Sequence, residues 1–355
     1  MRELFRAECL PVLQNRTYET PVAAHASPTG DVVLVQDPQT GLVFNAAFDP
    51  SKLSYDADYQ NEQACSGVFR QHLDTVAAIV DRHLAGRSLI EVGCGKGAFL
   101  ELLRGRGYAI TGIDPAYEGE NPDVIKAPFE AGLGLSAEGV VMRHVLEHMQ
   151  DPLSFLSSIA AANGGRGIAY IEVPCLDWIC ARRAWFDIFY EHVNYFRLDD
   201  FDRMFGRVID RGHVFGGQYL YALVDLATLR APRASVQDLI HLPGDFMAGV
   251  ERAGALAGRA ARRNAIWGAA SKGVIFATHL MRRGVTFDVA IDINPAKQGR
   301  YLPVSALRVA SAAEGAAMLG PGDNVFVMNS NYLDEIITQS NSAYSYITVD
   351  HEQVL

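Results

Sequence analysis

From His72 onward the chain alternates short apolar runs with helical patterns, and it does so twice. The first series reads SLIEVG, AFLELLRGRG, YAITGIDP, VVMRHVLEH, SFLSSIAAA and GIAYIEVP, and the second runs from NAIWGA to YSYITVD. Strands separated by helical stretches form βαβ units, whose strands pair in parallel. We therefore predict an α/β chain with a central Rossmann-like sheet and a second, smaller Rossmann-like domain at its C-terminal end.

The residues before this alternation have a different pattern, made of short β-like runs. DVVLVQ and GLVFNAAF are short β-like runs broken by Pro, Gly, Asn and Asp, which predicts a small β-rich lobe over residues 1–70. The first alternation predicts a domain over 71–230, which ends near the linker-like TLRAPRAS. The second predicts a domain over 231–355, beginning with an Ala/Gly/Arg-rich stretch from about Val236 to Arg263 that we expect to be helical.

Composition narrows the range of partners. The 355 residues carry a formal net charge of -10, which argues against a duplex nucleic-acid binder but leaves room for a small anionic molecule in a local cationic pocket. We find no apolar stretch of membrane-spanning length and no signal-peptide core at the start, and the five cysteines are odd in number and scattered. These features predict a cytoplasmic protein with free thiols and no membrane contact, and they are compatible with a homodimer.

A glycine-rich turn follows the first predicted strand. In IEVGCGKGAFL, Gly93, Gly95 and Gly97 lie between a strand and a helix, and Glu91 stands two residues before the first of them. Glycines let the backbone turn tightly and let a ligand approach the helix N-terminus. Asp114 ends the next strand, where a carboxylate can bind the ribose hydroxyls of a nucleoside.

This pattern resembles motif I of the class I S-adenosylmethionine-dependent methyltransferases, E/D-x-G-x-G-x-G. The later VVMRHVLEHMQDP also stands where such enzymes carry a strand beside the methyl donor and the substrate. The resemblance implies S-adenosylmethionine as the cofactor and the α/β fold described above. A cofactor-free α/β scaffold is the alternative. The residues that the resemblance assigns to the cofactor are Glu91, Gly93, Gly95, Gly97, Asp114, Pro115 and, at the pocket edge, His144.

A second set of motifs points to a narrower family. The segment IEVP…FDIFYEHVNYF, the loop IWGAASKGVIF, and the stretches DINPAKQGRYLPV and MNSNYLDEI resemble the sugar C-methyltransferases, in that family's order. The N-terminal LSYDADYQNEQACSGVF is similar to the tyrosine-rich entry to their methyltransferase domain. The resemblance implies methylation of the carbon next to the ketone of a nucleotide-linked 4-keto-6-deoxy sugar.

Such a reaction needs a base that removes the proton next to the ketone, and imidazole has a suitable pKa. By match to the family string, His192 is the candidate base; a structural histidine is the alternative. Glu191 is expected to orient it or to bind a sugar hydroxyl. A tyrosine hydroxyl, Tyr195 or Tyr190, is expected to polarise the ketone, although Tyr195 is as readily a core residue. The expected substrate contacts are Tyr55, Tyr59, His148, Glu172 and Lys272, with strand-end packing as the other interpretation of Glu172.

The sequence departs from the family in two places. The family's N-terminal lobe carries a zinc ion on four cysteines, but only Cys9 precedes Cys65 here, so we predict no metal there. Phe189 stands where the family string has a tyrosine, which leaves open an O- or N-methyltransferase, or a binding protein without catalysis. His144 and His148 lie four residues apart, but they lack the H-E-x-x-H order and an obvious third ligand, so a metal is not predicted there either.

The GAASKG loop raises the question of a second ligand. Gly268, Ser271, Lys272 and Gly273 are placed to cradle a phosphate, and Asp292 ends the next strand. The P-loop and G-x-G-x-x-G spacings are absent. We expect this domain to help bind the nucleotide end of the substrate, with a purely structural role or an NAD site as the alternatives.

Overall fold

The computed structural model describes residues 1–53, 59–258, 262–351 and 353–354, and it forms three sheets. The predicted α/β class, with a central parallel sheet and a smaller second one, is confirmed. No helix among these residues is both long enough and apolar enough to cross a membrane.

The N-terminal lobe is built on an antiparallel sheet. Its strand order is β1-β2-β3-β9. The fourth strand comes from far along the chain, inside the segment IEVP…FDIFYEHVNYF that contains the candidate base His192. Gly30 in the second strand leaves room for the ring of Tyr190, because a Cβ there would lie 2.2 Å from Tyr190 Cε2. The elements of this lobe are β1 (Arg2–Pro11), α1 (Pro21–His25), β2 (Thr29–Gln36), β3 (Val43–Asn45) and β9 (Asn194–Tyr195).

The central sheet has seven strands in the order β10-β11-β8-β7-β4-β5-β6. All its pairings are parallel except those that β11 makes with β8 and β10. The strand order reverses between β4 and β7, which is where open α/β sheets bind ligands. Its strands are β4 (Leu89–Val92), β5 (Ile110–Ile113), β6 (Val124–Ile125), β7 (Gly139–Arg143), β8 (Ile168–Pro174), β10 (Val208–Val214) and β11 (Tyr219–Asp225).

Helices cover both faces of this sheet because its strands are almost uninterrupted runs of buried apolar residues. The first of these helices is capped by Ser66, whose hydroxyl accepts a hydrogen bond from Phe69 N. It begins at Gly67, five residues before His72, where the sequence predicts that the alternation of strands and helices starts. The helices are α2 (Gly67–Leu84), α3 (Ala98–Gly105), α4 (Pro152–Ala162), α5 (Leu176–Arg182) and α6 (Leu198–Met204).

The C-terminal sheet has the order β14-β13-β12-β15-β16-β17, parallel except for its last pair. Gly268 and Met328, which follow β12 and β15, line the same cavity as residues of the central domain. The elements are α7 (Ala248–Ala257), β12 (Asn264–Trp267), α8 (Ser271–Met281), β13 (Val289–Ile291), β14 (Val309–Ala310), α9 (Ala312–Met318), β15 (Asn324–Val327), α10 (Leu333–Gln339), β16 (Ser345–Thr348) and β17 (Gln353–Val354).

The expected helix from Val236 to Arg263 is wrong for its first half. The described part of this stretch is helical over Ala248–Ala257, preceded by a single 3-10 turn at Val236–Asp238. The residues before the helix lie along the N-terminal lobe, where Ile240 N donates to Gln36 Oε1 at 2.9 Å. Pro243 and Gly244 disfavour a helix here. The domain limits at 70 and 230 remain predictions.

Candidate active site

One cavity of ≈ 730 Å³ lies where the three parts of the chain meet. Its walls come from the carboxyl ends of the central strands, from the N-terminal lobe, and from the first loop and the α10 region of the C-terminal domain. Pockets of this size between domains are the usual place for small-molecule chemistry. Representative lining residues are Tyr59, Gly95, Asp114, His192, Lys272 and Tyr332.

The glycine loop forms one wall of this cavity. Gly93, Gly95 and Gly97 all have positive φ (74°, 56° and 85°), a conformation that side chains rarely adopt. A Cβ on Gly93 would lie 2.3 Å from Val145 Cγ2, so the loop can pass beside β7 only with glycine there. The backbone is thereby left bare at the start of α3, as a bound nucleoside requires.

Two carboxylates flank this loop. Glu91 is 2% exposed, and its Oε2 has no hydrogen-bond partner among the described residues; burial raises the pKa of Glu91 to about 8, although the charge of Arg143 lowers it. Asp114 accepts hydrogen bonds from Gly95 N and Ala116 N, each at 2.8 Å, and burial raises its pKa. An unpartnered buried carboxylate beside a bare glycine turn fits a ligand that brings its own donors, as the amine and ribose of S-adenosylmethionine do.

The first test of this wall is Asp114→Asn. We expect affinity for S-adenosylhomocysteine, measured by calorimetry, to fall about 10- to 100-fold, because the change removes a charged acceptor worth roughly 1.5–3 kcal/mol. The matched control is Glu118→Gln at the same cavity. Glu118 is half exposed and pairs with Lys96 at 3.3 Å, so its loss should change affinity little. Equal affinities for the wild type and Asp114→Asn would contradict the assignment.

His144 lies at the end of β7 in a strained backbone conformation, with φ at 54°. Its Nδ1 is 3.3 Å from Glu147 Oε1, and its Nε2 is 3.2 Å from Glu172 Oε1. Burial lowers the pKa of His144, but its close contacts with these two carboxylates and their charges raise it to about 9. His144 and His148 are not on one helix, since a short 3-10 turn, Leu146–His148, follows the strand.

Glu172 is the centre of a buried network below the cavity. It is 0% exposed and accepts from Tyr170 Oη (2.7 Å), His72 Nε2 (3.0 Å) and Arg143 Nη2 (3.1 Å). Burial raises its pKa, but the charge of Arg143 and the two histidines outweigh that effect and hold the pKa well below the ordinary value. Glu172 is not among the described residues that line the cavity, so the structure does not bring it to the substrate position that the sequence suggested.

His192 lines the cavity on an irregular loop. The chain from Arg183 to Val193 contains one 3-10 turn, Trp185–Asp187, and no α-helix. The imidazole centroid is 4.5 Å from Phe189 and 5.0 Å from His148, and its Nδ1 has no hydrogen-bond partner in the described part of the chain. Burial, followed by the charges of His148 and His144, lowers the pKa of His192 well below its ordinary value.

Glu191 lines the cavity and ties the His192 loop to the N-terminal lobe. Its Oε1 accepts from Gln14 N at 3.0 Å, and its Oε2 accepts from Tyr59 Oη at 2.8 Å. The carboxylate thus fixes the backbone on which the next residue stands.

Tyr190 and Tyr195, which the sequence placed in the catalytic set, are not among the described cavity-lining residues. The Tyr190 hydroxyl accepts from Asp49 N at 2.9 Å, and the Tyr195 hydroxyl accepts from Phe189 N at 2.9 Å and donates to Phe189 O at 3.1 Å. Both rings are buried, and backbone groups use both hydroxyls. Neither replaces the hydroxyl that Phe189 lacks.

Most of the remaining predicted ligand contacts line the cavity. Pro115, Tyr59, His148 and Lys272 line the cavity, whereas Tyr55 lies outside the described residues. Lys272 Nζ is 3.0 Å from the carboxylate of Asp187, a buried residue that the sequence gave no reason to select. Glu147 was also missed as a functional group, because nothing in the local sequence shows that its carboxylate lies within 4.8 Å of the His192 imidazole, 45 residues further along the chain.

Comparison with known proteins agrees with this geometry. Residues 61–208 match the family model described as a methyltransferase domain. An α/β sheet of this order, a glycine loop flanked by two carboxylates and this match together make residues 61–208 a methyltransferase domain of the S-adenosylmethionine-dependent type. Residues 255–347 match the model described as a C-methyltransferase C-terminal domain.

A curated relative is the C-methyltransferase NovU of Streptomyces niveus, which is 28% identical over 177 residues. The match covers 44% of this chain and 41% of NovU, so it spans less than half of either protein. Among solved structures, the S-adenosylmethionine-bound magnesium protoporphyrin IX methyltransferase of Synechocystis PCC 6803 is 18% identical, with 44% of this chain and 78% of that chain covered and a TM-score of 0.32. A methyltransferase from Archaeoglobus fulgidus is 18% identical, with 43% and 94% covered and a TM-score of 0.35.

Proposed function

We propose that the protein methylates the carbon next to the ketone of a nucleotide-diphosphate 4-keto-6-deoxy sugar. One observation carries the proposal: His192, with no hydrogen-bond partner on Nδ1 among the described residues, lines the cavity that the glycine loop also lines. Carbon methylation next to a ketone requires a base at such a place. The C-methyltransferase C-terminal domain supports the same reaction type.

In this proposal His192 takes the proton from the carbon next to the ketone, and the electron pair that remains attacks the methyl group. S-adenosylmethionine, if bound at the glycine loop, would supply that methyl group as an electrophile; its bond from sulfur to the methyl carbon would break, and S-adenosylhomocysteine would leave. The hydrogen bonds of Glu191 with Gln14 and Tyr59 keep the loop that carries the imidazole in place. We assign most of the rate enhancement to this positioning.

Lys272 is the group we assign to the nucleotide end of the substrate. It stands in the first turn of α8, an eleven-residue helix whose N-terminus faces the cavity, and Ser271 lines the cavity beside it. A cation at a helix N-terminus suits a diphosphate. Asp187 at 3.0 Å balances the ammonium charge until the phosphate arrives.

O-methylation of a related sugar is the second candidate, and Phe189 favours it. The cavity offers no tyrosine hydroxyl at that position, and Tyr190 and Tyr195 bond to the backbone instead. A hydroxyl acceptor still needs a base but does not need a polarised ketone. A protein that binds the same ligands without catalysis is the third outcome that an experiment must separate.

The decisive experiment is mass spectrometry in heavy water. The purified protein is mixed with a nucleotide 4-keto-6-deoxy sugar, with and without S-adenosylmethionine. We expect a methyl group to be added when the cofactor is present and deuterium to enter at the adjacent carbon when it is absent. Methylation without deuterium exchange would favour the O-methyl product, which fragmentation identifies. If neither occurs while S-adenosylhomocysteine still binds, the sugar assignment is wrong.

A further inference from the structure

We propose that Glu147, His148 and His192 form a binding site for one divalent transition-metal ion such as Zn²⁺. Each of the three offers one ligand atom, and these atoms all lie within 4.8 Å of one another. All three side chains line the cavity. His192 lies 44 residues after His148, and it is the third ligand whose absence from the local sequence pattern argued against a metal.

The tautomer of His148 suits metal binding. Its Nδ1 lies 2.8 Å from the carbonyl oxygen of Glu191, and since a carbonyl only accepts, Nδ1 carries the proton. In the neutral ring the lone pair is then on Nε2. A histidine ligand held by a backbone carbonyl through its other nitrogen is the common arrangement in metal sites, because the hydrogen bond fixes the ring and raises its basicity.

The carboxylate of Glu147 is the second independent feature. Glu147 is 1% exposed, yet neither of its oxygens makes a hydrogen bond within the described ranges. Oε1 lies 3.3 Å from His144 Nδ1, which leaves Oε2 as the free ligand atom. Leaving a charged carboxylate buried in this way costs free energy unless a cation compensates it.

The surrounding cations do not exclude another one, because each has its own carboxylate. Arg143 is 3.1 Å from Glu172, and Lys272 is 3.0 Å from Asp187. The competitor is His144, which shares Glu147 with the proposed ion. A bound metal would therefore have to weaken the contact between His144 and Glu147, which lowers its affinity but does not remove the site.

Two imidazoles and one carboxylate are a ligand set for zinc and its neighbours in the first transition series, and not for Mg²⁺ or Ca²⁺. The cavity leaves further coordination positions open to water. If His192 is the base, an ion that takes its lone pair also prevents proton removal, so the metal inhibits. This consequence rests on the proposed function, whereas the binding site itself does not.

The test is metal binding by the full chain without a histidine tag. Co²⁺ is titrated and followed by its visible absorption, and Zn²⁺ is titrated by calorimetry. We expect one equivalent to bind to the wild type, and at least 10-fold weaker binding to Glu147→Gln and to His148→Asn. The matched control is His241→Asn, which removes an exposed histidine from a loop outside the cavity and should bind as the wild type does. S-adenosylhomocysteine binding verifies that each variant is folded.

Equal Co²⁺ affinity in the wild type, Glu147→Gln and His148→Asn would overturn the site, as would the absence of a saturable equivalent in the wild type. The activity readout is separate from this test. Enzyme treated with a chelator should be active and should lose activity as Zn²⁺ fills the site. If Zn²⁺ binds at these residues but does not inhibit, the metal site stands and His192 is not the base.

Discussion

Replacement of His192 by asparagine is expected to lower kcat for methyl transfer by about 10²- to 10⁴-fold, the usual contribution of a positioned base. Asparagine retains a polar side chain of similar reach in the loop but cannot accept a proton at neutral pH. Deuterium exchange into the sugar should fall in parallel, because it depends on the same proton removal. Affinity for S-adenosylhomocysteine should stay unchanged, since the glycine loop and Asp114, to which we assign the cofactor, form another wall of the cavity.

His241→Asn serves as the control for this substitution too, because it makes the same chemical change at an exposed position. Its kcat should match that of the wild type. Undiminished turnover in His192→Asn would remove the base assignment. Turnover that is undiminished and yields an O-methyl product would replace the proposed reaction as well.

The second large effect concerns stability. Glu172→Ala should destabilise the central domain by about 3–5 kcal/mol, because it leaves the Arg143 guanidinium buried without a counter-ion. Arg143 is 9% exposed and lies 3.1 Å from the carboxylate, which also accepts from Tyr170 and His72. In scanning calorimetry, the transition that S-adenosylhomocysteine raises identifies this domain. Its midpoint should fall by roughly 6–20 °C.

The control for Glu172→Ala is a substitution in an exposed ion pair of the same domain. Asp74 pairs with Arg106 at 3.0 Å, and its side chain is 60% exposed, so Asp74→Asn should shift the same midpoint by no more than a degree or two. A double substitution, Arg143→Met with Glu172→Gln, should recover part of the loss, since it removes the buried charge together with its partner. An unchanged midpoint in Glu172→Ala would show that the network contributes little.

Local patterns predicted the parts of the site that local geometry determines. The glycine loop and Asp114 were predictable because consecutive residues form the turn and because parallel strands place their carboxyl ends at one edge. The apolar strands were equally clear, since a parallel sheet that is covered on both faces requires continuous hydrophobic runs.

The contacts that sequence could not supply join distant segments. Nothing near Tyr190 indicates that Gly30 makes room for its ring or that Asp49 binds its hydroxyl, so the tyrosine was assigned to catalysis. The meeting of His148 with His192, and of Lys272 with Asp187, likewise depends on how the domains pack. The failed helix after Val236 has the same cause, because its residues bond to Gln36 of another lobe.

The short strand Asn194–Tyr195 completes the N-terminal sheet two residues after His192. Together with Gln14 and Tyr59, which hold Glu191, it makes the position of the imidazole depend on a lobe that contributes little to the cofactor wall. A genetic screen for inactive alleles should therefore recover substitutions in β2 and β3. The variant proteins would still bind to a cofactor-analogue resin, so affinity capture alone would not distinguish them from the wild type.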